Sequence, residues 1–149
     1  MLTELTSSEI REILSENYIG RIGCRNGDRV YIFPVNYVFE DGMVYCQSYE
    51  GTKVSMMREN PDVCFEVEEI RDFNQWKSVL GWGFFEELVS PRDIRSAQLH
   101  FSEIMLAQKA SLTSQPPTDQ TNTARGKPPT IIYYRIRFDE LSGRTERSI

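Results

Sequence analysis

The sequence predicts a mainly β protein, a small antiparallel barrel of about six strands with helices on its outside. Three observations carry this expectation. Turn signals sit close together, Asn26-Gly27-Asp28 and Asp41-Gly42, each between runs of strand character. Those runs alternate apolar and polar residues, as in Val63, Phe65 and Val67 against Cys64, Glu66 and Glu68. The helical segments are few and do not alternate with the strands, which argues against a parallel sheet built from βαβ units.

The elements follow in order. Thr6-Ser7-Ser8-Glu9 is a capping-box pattern, and Ile10, Ile13 and Leu14 recur at helical spacing, so a helix is expected over Thr6 to Asn17. Ile19 to Arg25 reads as a strand. Arg29 to Glu40 and Met43 to Tyr49 form a hairpin about Asp41-Gly42, the strongest short-range hairpin signal in the chain. Pro34 inside the longer of these strands implies an edge, a bulge, or backbone left open for a ligand. Thr52 to Glu59 is a short helix that Asn60-Pro61 stops. Asp62 to Ile70 and Trp76 to Val89 are strands, with Gly81 and Gly83 marking a bend or a close approach. Ser90-Pro91 starts a helix that runs to about Lys109, with Ser as N-cap and Pro at the first helical position. Ser111 to Pro129, rich in Ser, Thr, Gln and Pro, is read as a flexible loop. Thr130 to Phe138 is the final strand, and Leu141-Ser142-Gly143-Arg144 a polar tail.

Composition narrows the function. The 149 residues are read as one domain, 1–149, large enough for a core without disulfides. A net charge of −5 argues against nucleic-acid binding as the main role. No apolar run is long enough to span a membrane, and Met1-Leu2-Thr3-Glu4 lacks the features of a leader, so the protein is expected in the cytoplasm. Cys24, Cys46 and Cys64 are far apart and read as three buried, reduced thiols. His100 is the single histidine, which argues against a zinc site or a serine triad, and no metal is expected.

The functional signal lies after the hairpin. Ser48, Gly51, Thr52 and Lys53 place two hydroxyls, a permissive glycine and a cation where a helix begins, and such a cluster can hold a phosphate. A lysine at a helix start is poorly placed unless an anion joins it. Asn36 is a poor strand former, which implies a specific hydrogen bond. Arg21 has two readings, a surface residue or a phosphate ligand. Trp76 and Trp82 share one face by even spacing and are read as core or interface residues, with contact to a ligand the lesser reading for Trp82.

The motifs Gly20-Arg21-Ile22-Gly23, Pro34-Val35-Asn36-Tyr37-Val38, Asp41-Gly42, Ser48 with Gly51-Thr52-Lys53, Asn60-Pro61, Val63-Cys64-Phe65-Glu66-Val67, then Trp76, Ser78-Val79 and Gly83, come in a telling order. In that order the chain resembles the pyridoxamine 5′-phosphate oxidase-like family of FMN-binding split barrels, and within it the flavin-nucleotide-binding branch that includes nitroimidazole-resistance proteins. The resemblance covers about Ile10 to Arg144 apart from the 111–129 loop. It implies a six-stranded split barrel and a homodimer with two FMN sites at the interface. It implies that Lys53, Ser48 and Thr52 hold the phosphate, with Gln47 beside them and Arg21 as a further candidate. Pro34, Val35 and Asn36 would line the isoalloxazine, and Ser78 and Trp82 would close the site. Relatives that oxidise vitamin B6 carry an Arg-rich, Trp-containing C-terminal segment, which Phe138-Asp139-Glu140-Leu141 onward does not match. Many nitroimidazole-resistance relatives place a histidine where this chain has Gln47, and glutamine is no general acid near neutral pH.

The resulting expectation is an FMN-dependent oxidoreductase acting on a small molecule. The alternatives are a flavin-binding store, sensor or electron carrier, and a split barrel that holds haem, the deazaflavin F420, or no cofactor.

Overall fold

The computed structural model describes residues 1–108 and 130–147. The loop read over 111–129 lies outside them. The elements are β1 (Leu2–Glu4), α1 (Ser7–Glu16), β2 (Ile19–Asn26), β3 (Arg29–Glu40), β4 (Met43–Tyr49), α2 (Thr52–Glu59), β5 (Asp62–Asp72), β6 (Gln75–Glu87), α3 (Pro91–Gln108) and β7 (Ile131–Glu146). The strands lie in the order β1-β7-β4-β3-β2-β5-β6, and β7 also pairs with β6. That last pairing closes six strands into an antiparallel ring. The expected barrel is therefore present, with β1 as a seventh strand added at the end of β7, where Leu2 faces Glu146.

Local chemistry explains the elements that were expected. Thr6 caps α1 and forms the full capping box with Glu9. The β3–β4 turn has positive φ at both Asp41 and Gly42, the backbone that a two-residue hairpin turn needs. Ser90 Oγ accepts from the Asp93 amide at 3.1 Å and starts α3.

Two expectations need correction. The final strand does not end at Phe138, and Leu141-Ser142-Gly143-Arg144 is no tail: β7 runs on to Glu146, paired with β6 throughout. An irregularity opposite Trp82 and Gly83 leaves Asp139 unmatched, and this broke the alternation in the sequence. The second concerns the cysteines. All three are free, and Cys24 and Cys46 are buried, but Cys64 is only half-buried on the outer wall, where its Sγ lies over Gly23.

The core fills the barrel. Ile22, Val44, Phe65, Val67, Val79, Tyr134 and Ile136 point inward, with α1 covering the interior through Ile10, Ile13 and Leu14. Val54, Met56 and Met57 of α2 belong to the same core. A second, smaller cluster joins α3 to the outer wall through Val38, Leu88, Ala97, Phe101 and Tyr133. The Tyr37 hydroxyl donates to the Leu14 carbonyl at 2.8 Å and ties α1 to β3. Burial holds that phenol far above its ordinary value, so it stays a donor.

Candidate functional site

The barrel is split along β3. From Arg29 to Asn36 this strand pairs with β2 alone; from Tyr37 to Glu40 it pairs with β4. Among the described residues, no strand meets the β4-facing edge of β3 before Tyr37. Pro34 sits in the middle of this open stretch, where a missing N–H leaves the ladder intact. Pro34 is exposed, Val35 turns into the core, and Asn36 is half-buried with its polar groups engaged.

Lys53 reaches the same edge from α2. Its Nζ lies 4.8 Å from the centroid of the Phe33 ring, one residue before Pro34. The exposed Lys53 side chain has no carboxylate partner among the described residues. Gly51 is the N-cap of α2 and offers no side-chain cap, and the first turn holds no acidic residue. Thr52 is exposed as the first helical residue. The amide groups at this helix start are thus uncompensated beside a free cation, which suits an anion. Phe33 is a contact that the motif reading missed, although it stands next to Pro34 in the same run.

Ser48 and Gln47 lie at the end of β4 that leads into α2. Ser48 has the inward parity of Val44 and Cys46, and its Oγ is buried without a hydrogen-bond partner, as is the Tyr134 hydroxyl. Gln47 has the opposite parity; it is buried, and its Oε1 also lacks a partner. Burial pushes the Tyr134 phenol and the Cys46 thiol well above their ordinary values, so neither ionises at physiological pH.

A brace holds α2 in place. The Arg58 guanidinium donates to both Glu50 oxygens at 2.7 and 2.9 Å, and to both Glu87 oxygens at 2.6 and 3.0 Å. It links the last turn of α2 to the turn before the helix and to the end of β6. Nothing in the local sequence marked this contact, because the three residues meet only once the barrel closes.

Ser78 and Trp82 stand apart from this edge within one chain. In the order β3-β2-β5-β6, two strands lie between Pro34 and the β6 residues. The Ser78 hydroxyl donates to Glu66 at 3.2 Å. Arg21 lies directly across from Pro34 and donates to Glu68 at 3.1 Å and Glu66 at 3.5 Å. Trp82 is exposed on the outer wall. The register aligns Ile32, Gly23, Cys64 and Trp82 in one row across β3, β2, β5 and β6. With Val30, Ile19 and Phe84 this wall presents a broad apolar surface, on which Ile32 keeps 72% of its area exposed.

Burial, with Glu68 as neighbour, raises the Glu66 carboxyl above its ordinary value. Its contribution to stability is therefore full at low pH, below the unfolded value, and is lost as pH rises through the folded one. Glu66→Gln is expected to raise the melting temperature at pH 7. The gain should vanish near pH 4, while Arg21 keeps Glu68. A lower melting temperature for the variant at pH 7 would contradict this.

An antiparallel barrel split along one strand, with a free lysine at that opening, defines a class of protein. A family model described as pyridoxamine 5′-phosphate oxidase matches residues 6–145, and the chain belongs to this family. An uncharacterized protein of Rhizobium meliloti is 26% identical over 144 residues, covering 94% of this chain and 92% of its own. The crystal structure of an FAD-binding protein from Mesorhizobium loti superposes with a TM-score of 0.79 at 26% identity, over 99% of this chain and 98% of that one. An FAD-binding protein from Mycobacterium smegmatis shares the fold, with a TM-score of 0.67 at 24% identity over 98% of both chains.

Among the described residues, no group of three or more His, Cys, Asp or Glu side chains is arranged to hold a metal, and no helix is long and apolar enough to cross a membrane.

Proposed function

We propose that this chain is an FMN-binding oxidoreductase that works on a small molecule as a homodimer. The observation that carries the reading is the convergence of the open β3 edge with Lys53 and the uncapped start of α2. The donor set fits a flavin nucleotide. Lys53 and the first amides of α2 would take the phosphate, with Thr52 at the rim. The edge of β3 at Pro34, which no other strand among the described residues meets, would lie along the edge of the ring, with Val35 and Asn36 beside it, as a flat ligand with hydrogen-bonding edges requires. The partnerless Ser48 Oγ and Gln47 Oε1 lie where β4 leads into α2. The similarity to a protein named as FAD-binding supports a flavin. A bound flavin would supply hydride or electron transfer, and the chain's own residues would bind and orient it.

The apolar wall of Ile32, Trp82 and Phe84 supports a second copy docking there. Such docking would bring the partner's β6 toward the β3 edge and give Ser78 and Trp82 a role that one chain does not offer them. A flavin carrier without substrate turnover is a second reading. It is favoured by the single histidine, since the His100 Nδ1 is held by Glu40 at 2.7 Å.

A visible spectrum of the purified protein, with mass analysis of whatever denaturation releases, tests the cofactor. A flavin spectrum with FMN released is expected. FAD in its place would correct the nucleotide, a Soret band or F420 would replace the flavin, and a colourless protein that fails to take up added FMN would overturn the proposal. Dilution to monomers should release the flavin; a monomer that keeps it would contradict a shared site. Bleaching of the flavin by a donor and its reoxidation by a substrate would separate the enzyme from the carrier.

A further inference from the structure

The wall that carries the apolar patch also carries charge. Beside the row of Ile32, Gly23, Cys64 and Trp82 runs a second row, Pro34, Arg21, Glu66 and Leu80, in register across the same four strands. Glu68 follows two residues after Glu66 on the same face, opposite Ser78. The Arg21 guanidinium donates to Glu68 at 3.1 Å and to Glu66 at 3.5 Å, and the Ser78 hydroxyl donates to Glu66 at 3.2 Å. The two carboxyls also meet each other, and a hydrogen bond between carboxyls needs a proton on one of them.

With both acids ionised, two carboxylates face one guanidinium. The immediate neighbours on this face are Pro34, the Cys64 thiol, Leu80 and Ser78, and none of them is a cation. The next cations by register are Arg25, four residues along β2, and Arg144, across from Ser78 on β7, with Glu4 on its other side. In one chain water bears the excess charge, since Arg21 and Glu68 are exposed and Glu66 is half-buried.

A docked copy would remove that water. The two rows are two residues of strand apart, about 7 Å. A stable interface covers about 800 Å² on each partner, a square roughly 28 Å wide. A copy seated on the apolar row therefore covers the charged row as well. An identical chain brings the same excess of negative charge rather than its opposite. A carboxylate taken out of water without a full partner is costly until it is protonated.

We propose that docking of the second copy is coupled to proton uptake by the Glu66–Glu68 pair of each chain, so that the dimer tightens as pH falls. The proton comes from bulk water and returns to it when the copies part. The inference rests on the docking read above and adds its regulation. Burial already raises the Glu66 carboxyl in one chain, and docking buries it further. The dimer's advantage is therefore present at low pH and is lost as pH rises through the docked value.

The dissociation constant of the full-length protein, measured by dilution of fluorescently labelled chains at constant high salt, tests this between about pH 8 and pH 5.5. Salt screens the general repulsion that also fades as the chain nears its pI of 5.0. The constant should fall at least about tenfold from pH 8 to pH 5.5. Glu66→Gln should form a dimer at pH 8 at least about tenfold tighter than the parent chain and lose most of the pH dependence. Glu103→Gln, the same charge change on the exposed face of α3, should behave as the parent chain does. Matching circular dichroism checks the folding of both variants. A constant that does not vary with pH, a pH dependence that survives Glu66→Gln, or the same response from Glu103→Gln would overturn the proposal while leaving the dimer in place. A dimer that stays intact on dilution at both pH values would also overturn it. A chain that is monomeric at every pH would remove the docking itself.

Discussion

Lys53→Ala is expected to weaken FMN binding by about 10- to 100-fold, the loss of one charge-assisted contact worth about 1.5–3 kcal/mol. Fold stability should hardly change. The side chain is exposed, and its contact with the Phe33 ring is worth about 0.5–1 kcal/mol at such a site. Lys53→Arg should keep most of the affinity, because charge rather than shape is required of a point cation at a helix start. Fluorescence titration of the refolded apoprotein measures both. Full affinity in Lys53→Ala, with an unaltered melting curve, would sink the phosphate assignment and leave the open β3 edge as the sole basis for a ligand.

The largest effect on stability should come from Gly83→Ala. A Cβ at this position would run into the Arg137 carbonyl and crowd the backbone of Phe138. Neither obstacle is a side-chain tip that can swing away. The two strands must part just where the β6–β7 register is already irregular. Forced expansion of this kind costs about 3 kcal/mol, or roughly 6–12 °C in melting temperature for a chain of this size. Gly51→Ala is the control, since no atom lies within 4 Å of the added carbon and the backbone there is extended. Equal melting temperatures for the two variants would show that β7 yields freely.

The local signals were faithful where their chemistry is local. The Thr6 capping box, the Asp41-Gly42 turn and the Ser90-Pro91 helix start each act within four residues, and each stands where the sequence put it. Pro34 foretold an open edge because proline removes a ladder donor whatever its surroundings. The failures share the opposite property. β1 has three exposed residues and becomes a strand only because β7 offers a free edge. The end of β7 looks polar because Ser142 and Arg144 face out, while inward Gly143 makes room for Leu5 and Ile10 and Thr145 donates to the Trp76 carbonyl at 3.0 Å. Among the candidate site residues, Lys53 lies over Phe33, the residue before Pro34, within one chain, but Ser78 and Trp82 are separated from that edge by β2 and β5. That order is a property of how the ring closes, and no single segment encodes it. Arg21 shows the same limit: its partners Glu66 and Glu68 stand on β5, more than forty positions away.

The closure of the ring by β7 also sets a timetable for a nascent chain. When β6 leaves the ribosome, β4 and β6 each have one edge with no strand to meet it, and they keep those edges until Ile131 onward has been made. Throughout that interval the emerging polypeptide is an open, half-built sheet, prone to pair with its neighbours on the same message. The last strand then joins three others at once, and residue 2 finds residue 146. Synthesis of this protein should therefore depend on chaperones most strongly in its final stretch, and a stall before β7 should yield aggregates rather than a smaller folded domain.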